Sequence, residues 1–259
     1  MASIQNFKCI LVTGATSGIG RELARNIARL PHKPRVVAVG RRKERLAELK
    51  TEGLETIQFD TDTGESGISS FVNQALARYP DIDCILLGAG MQRNLNLRKP
   101  ASIDIHGFNT NYTAIVLTII RFLPHFLKLG ETGIITITSG LSIVPAVWAP
   151  NYSATKAALH SFTGSLRVQM KDTNVKVVEI VPPLVESELH NAEGTTSRLA
   201  GSWVPLDKFT DTCMDGLKGG LETICYDNQA SKGQYEKFEK GKETIMAESY
   251  KWFQEATKN

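Results

Sequence analysis

A chain of 259 residues with 42% hydrophobic side chains is long enough to bury one substantial core, so a single domain is expected. A formal charge of +3 with scattered basic residues argues against nucleic acid or an acidic membrane surface as a partner. No run approaches the roughly 18 apolar residues of a membrane span, and Met1 to Lys8 lacks a charged region followed by an apolar stretch; a cytoplasmic location is expected.

In chain order, Cys9-Ile-Leu-Val12 is a short apolar run suited to a buried parallel strand, and Arg21 to Ala28 repeats apolar residues at helical spacing. Between them lies the glycine-rich run Thr13-Gly-Ala-Thr-Ser-Gly-Ile-Gly20. In a strand, turn, helix order, Gly14 permits a tight turn, Gly18 lets the backbone approach a pyrophosphate and Gly20 allows close packing. Free N–H groups at the helix start attract the anion, with Thr16, Ser17 and Ile19 completing the candidate set. The spacing Gly-x-x-x-Gly-x-Gly differs from the dinucleotide pattern Gly-x-Gly-x-x-Gly, and alone it suits an ordinary turn as well.

Pro31 to Pro34 end the first helix. Further strand-like runs at Arg35–Val39, Thr56–Phe59, Cys84–Leu87, Gly133–Ile137 and Val175–Val181 alternate with helical patterns. That alternation predicts an α/β domain, a doubly wound parallel sheet with helices on both faces. The helix over about 106–128 is expected to bend near Pro124. From about 186 to 215 the chain reads as a polar loop containing Trp203, either a substrate lid or a surface connection. The segment 234–254 carries Phe238, Ile245, Met246, Tyr250, Trp252 and Phe253 at partly helical spacing and reads as a packed or interface helix. Cys9, Cys84, Cys213 and Cys225 are far apart and read as reduced thiols. His32, His106, His125, His160 and His190 lack metal-ligand spacing, so no metal is expected.

Tyr152 and Lys156 share a helix face at i and i+4, so the ammonium is expected beside the phenol, where a cation favours phenolate. That would turn a poor acid, of pKa about 10, into a proton donor for a carbonyl oxygen. Singly, Tyr152 reads as a helix-start aromatic, Lys156 as a solvated lysine, Ser139 as a strand-end turn residue and Asn111 as a helix polar group.

Together, the glycine run, Ser139 with the 13-residue step to Tyr152, and Tyr-Ser-Ala-Thr-Lys at 152–156 resemble the short-chain dehydrogenase/reductase family over about residues 7 to 190. Asn111, within Asn109-Thr-Asn-Tyr-Thr113, matches the family's catalytic asparagine. The resemblance implies an Asn111-Ser139-Tyr152-Lys156 set. Tyr152 would protonate the substrate oxygen and Ser139 hold it, while Lys156 would lower the Tyr152 pKa and bind the nicotinamide ribose and Asn111 would help hold a water chain. It also implies that Asp60, with Thr61, meets the adenine, although Asp60 suits a helix cap or turn equally well. The wall of the adenosine ribose falls to Gly88, Ala89 and Gly90, where Leu87-Gly-Ala-Gly90 replaces the usual Asn-Asn-Ala-Gly. Pro182, Val185 and Ser187 fall beside the nicotinamide, where Pro183 replaces a glycine. Subunit contacts along the helices near 106–128 and 152–171 imply a homodimer or homotetramer.

An acidic residue ending the second strand would bind a ribose 2′-hydroxyl. The chain instead has Val39-Gly-Arg-Arg-Lys43, so a 2′-phosphate suits Arg41 best and Arg42 next, and NADPH/NADP+ is the expected cofactor. The expected function is NADPH-dependent reduction of a ketone or aldehyde. The alternatives are alcohol oxidation with NADP+ and a non-catalytic NADPH sensor or scaffold. Met91, Leu141, Val144, Pro145, Val147, Trp148, Leu184 and Trp203 suggest an apolar substrate pocket.

Overall fold

The computed structural model describes residues 3–99, 105–194 and 200–257. Strands β1 (Cys9–Thr13), β2 (Arg35–Gly40), β3 (Glu55–Gln58), β4 (Cys84–Leu87), β5 (Thr132–Ile137), β6 (Val175–Val181) and β7 (Thr223–Cys225) form one sheet in the order β3-β2-β1-β4-β5-β6-β7. Every pairing is parallel. The three residues of β7 are too short a run to show periodicity, and the sequence did not reveal them.

Alternate side chains of each strand feed two cores, because successive Cβ atoms point to opposite faces. Ile10, Val12, Val36, Ala38 and Leu86 pack against α1 (Gly18–Ala28) and α7 (Leu206–Lys218). Cys9, Leu11, Val37, Ile85 and Leu87 pack against α3 (Glu65–Arg78), α5 (Ala114–Phe126) and α6 (Pro150–Met170). The short helix α2 (Lys43–Thr51) lies beside β2 and β3. Both sheet faces are covered, as a parallel sheet requires.

Helix α4 (Ile105–Phe108) runs through a π-helical turn, Asn109–Thr113, into α5. Pro124 sits inside α5 two residues from its end, where it withholds the N–H that would meet the Ile120 carbonyl and leaves less than one turn of helix beyond it. Pro150 opens α6 at its first turn, where no donor is lost.

Two expectations change at the C-terminal side. The loop predicted over 186–215 ends earlier, because Leu206 begins α7, whose Phe209, Thr210 and Cys213 are buried in the core. The loop returns through the bridge Val185 to Val204, with Glu186 N donating to Val204 O at 2.9 Å; its residues 195–199 and the side chain of His190 lie outside the described residues. The C-terminal helix is interrupted, with α8 (Gln234–Phe238) and α9 (Lys242–Ala256) separated at Gly241, whose φ is +87°. Met246 packs on Gly164 of α6 and Glu243 pairs with Arg167 at 3.2 Å, whereas Ile245, Trp252 and Phe253 face outward.

Candidate functional site

β1 and β4 adjoin in the sheet although β2 and β3 follow β1 in the chain, so the connections from β1 and β4 leave in opposite directions. A crevice opens there at the carboxyl ends of the strands. The register sets those ends at one level, Thr13 pairing with both Val39 and Leu87, and Leu87 with Thr136. The resulting cleft has a volume of about 440 Å³. It is lined by every residue that the sequence singled out for catalysis or cofactor contact except Asn111: Gly14, Thr16, Ser17, Gly18, Ile19, Gly20, Arg41, Arg42, Asp60, Thr61, Gly88, Ala89, Gly90, Ser139, Tyr152, Lys156, Pro182, Val185 and Ser187.

At Gly14, φ is +70° and a Cβ would stand 2.5 Å from the Gly88 carbonyl carbon. The turn after β1 therefore meets the turn after β4 backbone to backbone, and glycine is needed for both the conformation and the approach. The first turn of α1 follows with Ser17 as its cap residue, but the Ser17 hydroxyl makes no capping bond. Its leading N–H groups remain open toward the cleft, which is the arrangement an anion needs.

At the other end of the cleft Ser139 leaves β5 in extended conformation and caps the turn Gly140–Ser142, its Oγ accepting from Leu141 N at 3.1 Å. The Ser139 hydroxyl also lies near enough to the Tyr152 phenol to favour its charged form. Tyr152 and Lys156 are both buried on α6. Lys156 Nζ donates to the Ile137 carbonyl at 2.8 Å and lies 5.8 Å from the centre of the Tyr152 ring.

The electrostatics differ from the expectation that Lys156 acidifies Tyr152. Burial pushes the Tyr152 phenol up to about 12, against a smaller opposing pull from the Ser139 hydroxyl, and burial lowers Lys156 to about 8. Desolvation penalises both charged forms, and it outweighs an ammonium already committed to a backbone carbonyl.

Asn111 lies beneath the cleft in the π-helical turn. Its Oδ1 accepts from Met91 N at 2.8 Å, and its Nδ2 donates to Met91 O at 2.8 Å and to Thr155 Oγ1 at 3.0 Å. The buried amide thus clamps the chain after β4 to α6, and a π-turn at such a position is characteristic of functional sites.

The adenosine end is more occupied than the sequence suggests. Arg41 Nη1 lies 3.9 Å from Asp60, which also accepts from Asp62 N at 3.1 Å as a turn acid. Arg42 donates to Glu188 at 2.9 Å, and Arg45 donates to Glu188 and to the Thr16 carbonyl. Burial raises the Glu188 pKa, but Arg45 and Arg42 outweigh it and the net shift is downward.

Of the expected apolar pocket, Met91, Leu141, Trp148 and Leu184 line the cleft, whereas Val144, Pro145, Val147 and Trp203 do not; Val147 points to solvent. Sequence reasoning missed Gln92, Arg93, Glu188, Leu189, Ala230 and Gln234, which also line it. Ala230 and Gln234 come from the segment after β7. A Cβ on Gly140 would stand 2.1 Å from the Ala230 carbonyl oxygen, so the glycine beside Ser139 is what lets that segment close the wall. The Gln234 Oε1 is buried without a partner.

Residues 8–198 match the family described as short chain dehydrogenase. The chain belongs to that family. It is an oxidoreductase by this membership, and it is 34% identical over 220 residues to the uncharacterized oxidoreductase DltE of Bacillus subtilis (strain 168), covering 83% of this chain and 86% of that one. It is 33% identical over 181 residues to the NADP-dependent 3-hydroxy acid dehydrogenase YdfG of Escherichia coli (strain K12), covering 68% and 72%. Among solved structures, the closed form of a serine dehydrogenase complexed with NADP+ superposes with a TM-score of 0.74 at 27% identity, covering 83% of this chain and 93% of that one. Among the described residues no helix is long and apolar enough to cross a membrane, and no His, Cys, Asp or Glu cluster could hold a metal ion.

Proposed function

We propose that this short-chain dehydrogenase reduces a ketone or aldehyde with NADPH, with Tyr152 as proton donor. The observation that carries the proposal is the meeting of Ser139 and Tyr152 in the same cleft as the glycine turn. The residues present fit the cofactor: the uncapped start of α1 offers N–H groups to a pyrophosphate, and Arg41 and Arg42 line the same cleft as cations that suit the 2′-phosphate of NADPH. When bound, the nicotinamide supplies the hydride.

The chain's own residues manage the oxygen. Ser139 holds it by a hydrogen bond, and the Tyr152 phenol transfers its proton as negative charge develops there. A phenol pushed up to about 12 is still far more acidic than an alcohol, whose conjugate base rivals hydroxide at about 16, so the transfer runs downhill. Burial that keeps Tyr152 protonated favours reduction near neutrality, while alcohol oxidation needs the phenolate and gains as pH rises. Lys156 fixes the helix against β5 through Ile137 and presents its remaining N–H groups to the cleft.

Arg93 lies on the stretch whose Leu95 N donates to the Trp148 carbonyl at 3.0 Å, beside the substrate end. Its Nη1 donates to the Gln92 carbonyl at 3.0 Å; a 3-oxo or 3-hydroxy acid is a substrate class consistent with the named activity of the E. coli relative. The test is a screen of ketones, aldehydes and 3-oxo and 3-hydroxy acids with NADPH and with NADH, repeated with Tyr152→Phe. Turnover that favours NADPH and disappears in Tyr152→Phe, with NADPH binding retained, is expected. Full activity in that variant, or NADPH binding with no turnover across the screen, overturns the proposal.

A further inference from the structure

The loop after β6 is tied across the cleft to the start of α2 by one carboxylate. Glu188 uses both oxygens, Oε2 on Arg42 Nη1 at 2.9 Å and Oε1 on Arg45 Nη1 at 2.5 Å. Arg45 is itself anchored, donating to the Thr16 carbonyl at 3.0 Å within the glycine turn. The next residue, Leu189, packs against the small cluster that contains Tyr152. One short turn, Glu188–Glu193, therefore touches one of the two proposed phosphate-binding arginines, Arg42, and packs on the cluster that contains the proposed proton donor.

The consequence is competition between anions. Arg42 is one of the two cations offered to a 2′-phosphate, and Glu188 already engages it. Only Arg42 has to be released, however, because Arg45 keeps the Glu188 carboxylate paired and the loop attached. The hand-over leaves no charge without a partner, which is what makes it cheap.

We propose that Glu188 is a specificity-determining residue for the ribose 2′ position, an internal anion that competes with the 2′-phosphate for Arg42 and so moderates the preference for NADPH over NADH. The inference rests on the reading of this cleft as an NADPH site. Glu188 also adds a negative charge near a dianionic group, and both effects act on the phosphate and spare the 2′-hydroxyl of NADH. Removing the charge while keeping the shape should therefore tighten NADPH selectively.

The test is equilibrium binding of NADPH and NADH, followed by nicotinamide fluorescence, to the wild-type chain, Glu188→Gln and Arg42→Ala, with 2′,5′-ADP and 5′-AMP as competitors that lack the nicotinamide. Thermal melts check that each variant is folded. Glu188→Gln is expected to bind NADPH and 2′,5′-ADP about three- to tenfold more tightly, with NADH and 5′-AMP changed less than about twofold, and the gain shrinks at high salt because the groups are about a third exposed. Arg42→Ala is expected to remove the gain when combined with Glu188→Gln. A wild-type preference for NADH sinks the NADPH reading and this inference with it. A wild-type preference for NADPH that Glu188→Gln leaves unchanged or weakens overturns only the role of Glu188.

Discussion

Replacing His160 by leucine tests how the C-terminal segment is held against the catalytic helix. His160 lies one turn beyond Lys156 on α6, and its two ring nitrogens meet two carboxylates: Nδ1 stands 2.7 Å from Glu179 on β6, and Nε2 stands 3.1 Å from Glu239 after α8. Carboxylates only accept hydrogen bonds, so satisfying both requires the imidazolium. Burial opposes the charge, but Glu179 and Glu239 together outweigh it and the pKa is raised. Glu179 also accepts from Thr138 Oγ1 at 2.6 Å, next to Ser139, and Lys242 of α9 pairs with Glu239 at 2.6 Å.

Removing one partner from a buried pair costs about 3–5 kcal/mol. His160 is 19% exposed and Glu239 keeps Lys242, which places the cost at the lower end, about 3 kcal/mol, or a fall in Tm of roughly 6–12 °C for a chain of this size. Because the folded state holds the proton above the ordinary histidine value, this contribution is complete below about pH 6.5 and drains away as pH rises through the higher folded value. Calorimetry of wild type and His160→Leu between pH 6.5 and 9 should show a gap that narrows with rising pH, and Glu179→Gln added to the leucine variant should recover part of it. A Tm change under about 2 °C at pH 6.5, or a gap that widens with pH, refutes the ion-paired imidazolium.

Asn111→Leu strands the Met91 N–H and carbonyl and removes the bond that Thr155 Oγ1 accepts, and should cost about 2–3 kcal/mol of stability; a melt within 1 °C of wild type would contradict the clamp. Gly140→Ala forces a Cβ against Ala230 O at 2.1 Å, so an overpacking cost of about 1–3 kcal/mol with faster protease cleavage near residue 230 is expected, and an unchanged melt would remove the claim that this glycine seats the segment. Gln234→Leu should leave Tm unchanged or raise it, because a buried carbonyl oxygen without a partner is already unfavourable by about 1–3 kcal/mol. A clear fall in Tm would show that the amide has a structural partner.

Much of the site was legible because its signals are short-range or repeat at fixed spacing. Glycines at 14, 18 and 20, an i to i+4 pair at 152 and 156, and apolar runs of strand length all report local backbone geometry, and the fold brings the glycines and the pair to one crevice. The limits of the loop were less legible: nothing in the polar run after 185 marks Leu206 as the start of a core helix, since its burial depends on the sheet face that it meets.

By itself the sequence determined the alternation of strands and helices, and with it the parallel sheet, the crevice and the chemical groups delivered to the ends of its strands. Only the tertiary structure decided how those groups are charged and partnered. Arg45 and Glu188 are 143 positions apart, and Ala230 reaches Gly140 from beyond the last strand; no periodicity encodes such meetings. Likewise the protonation of Tyr152 is set by desolvation, a property of everything packed around the phenol, and it overrides the neighbour that helical spacing supplies.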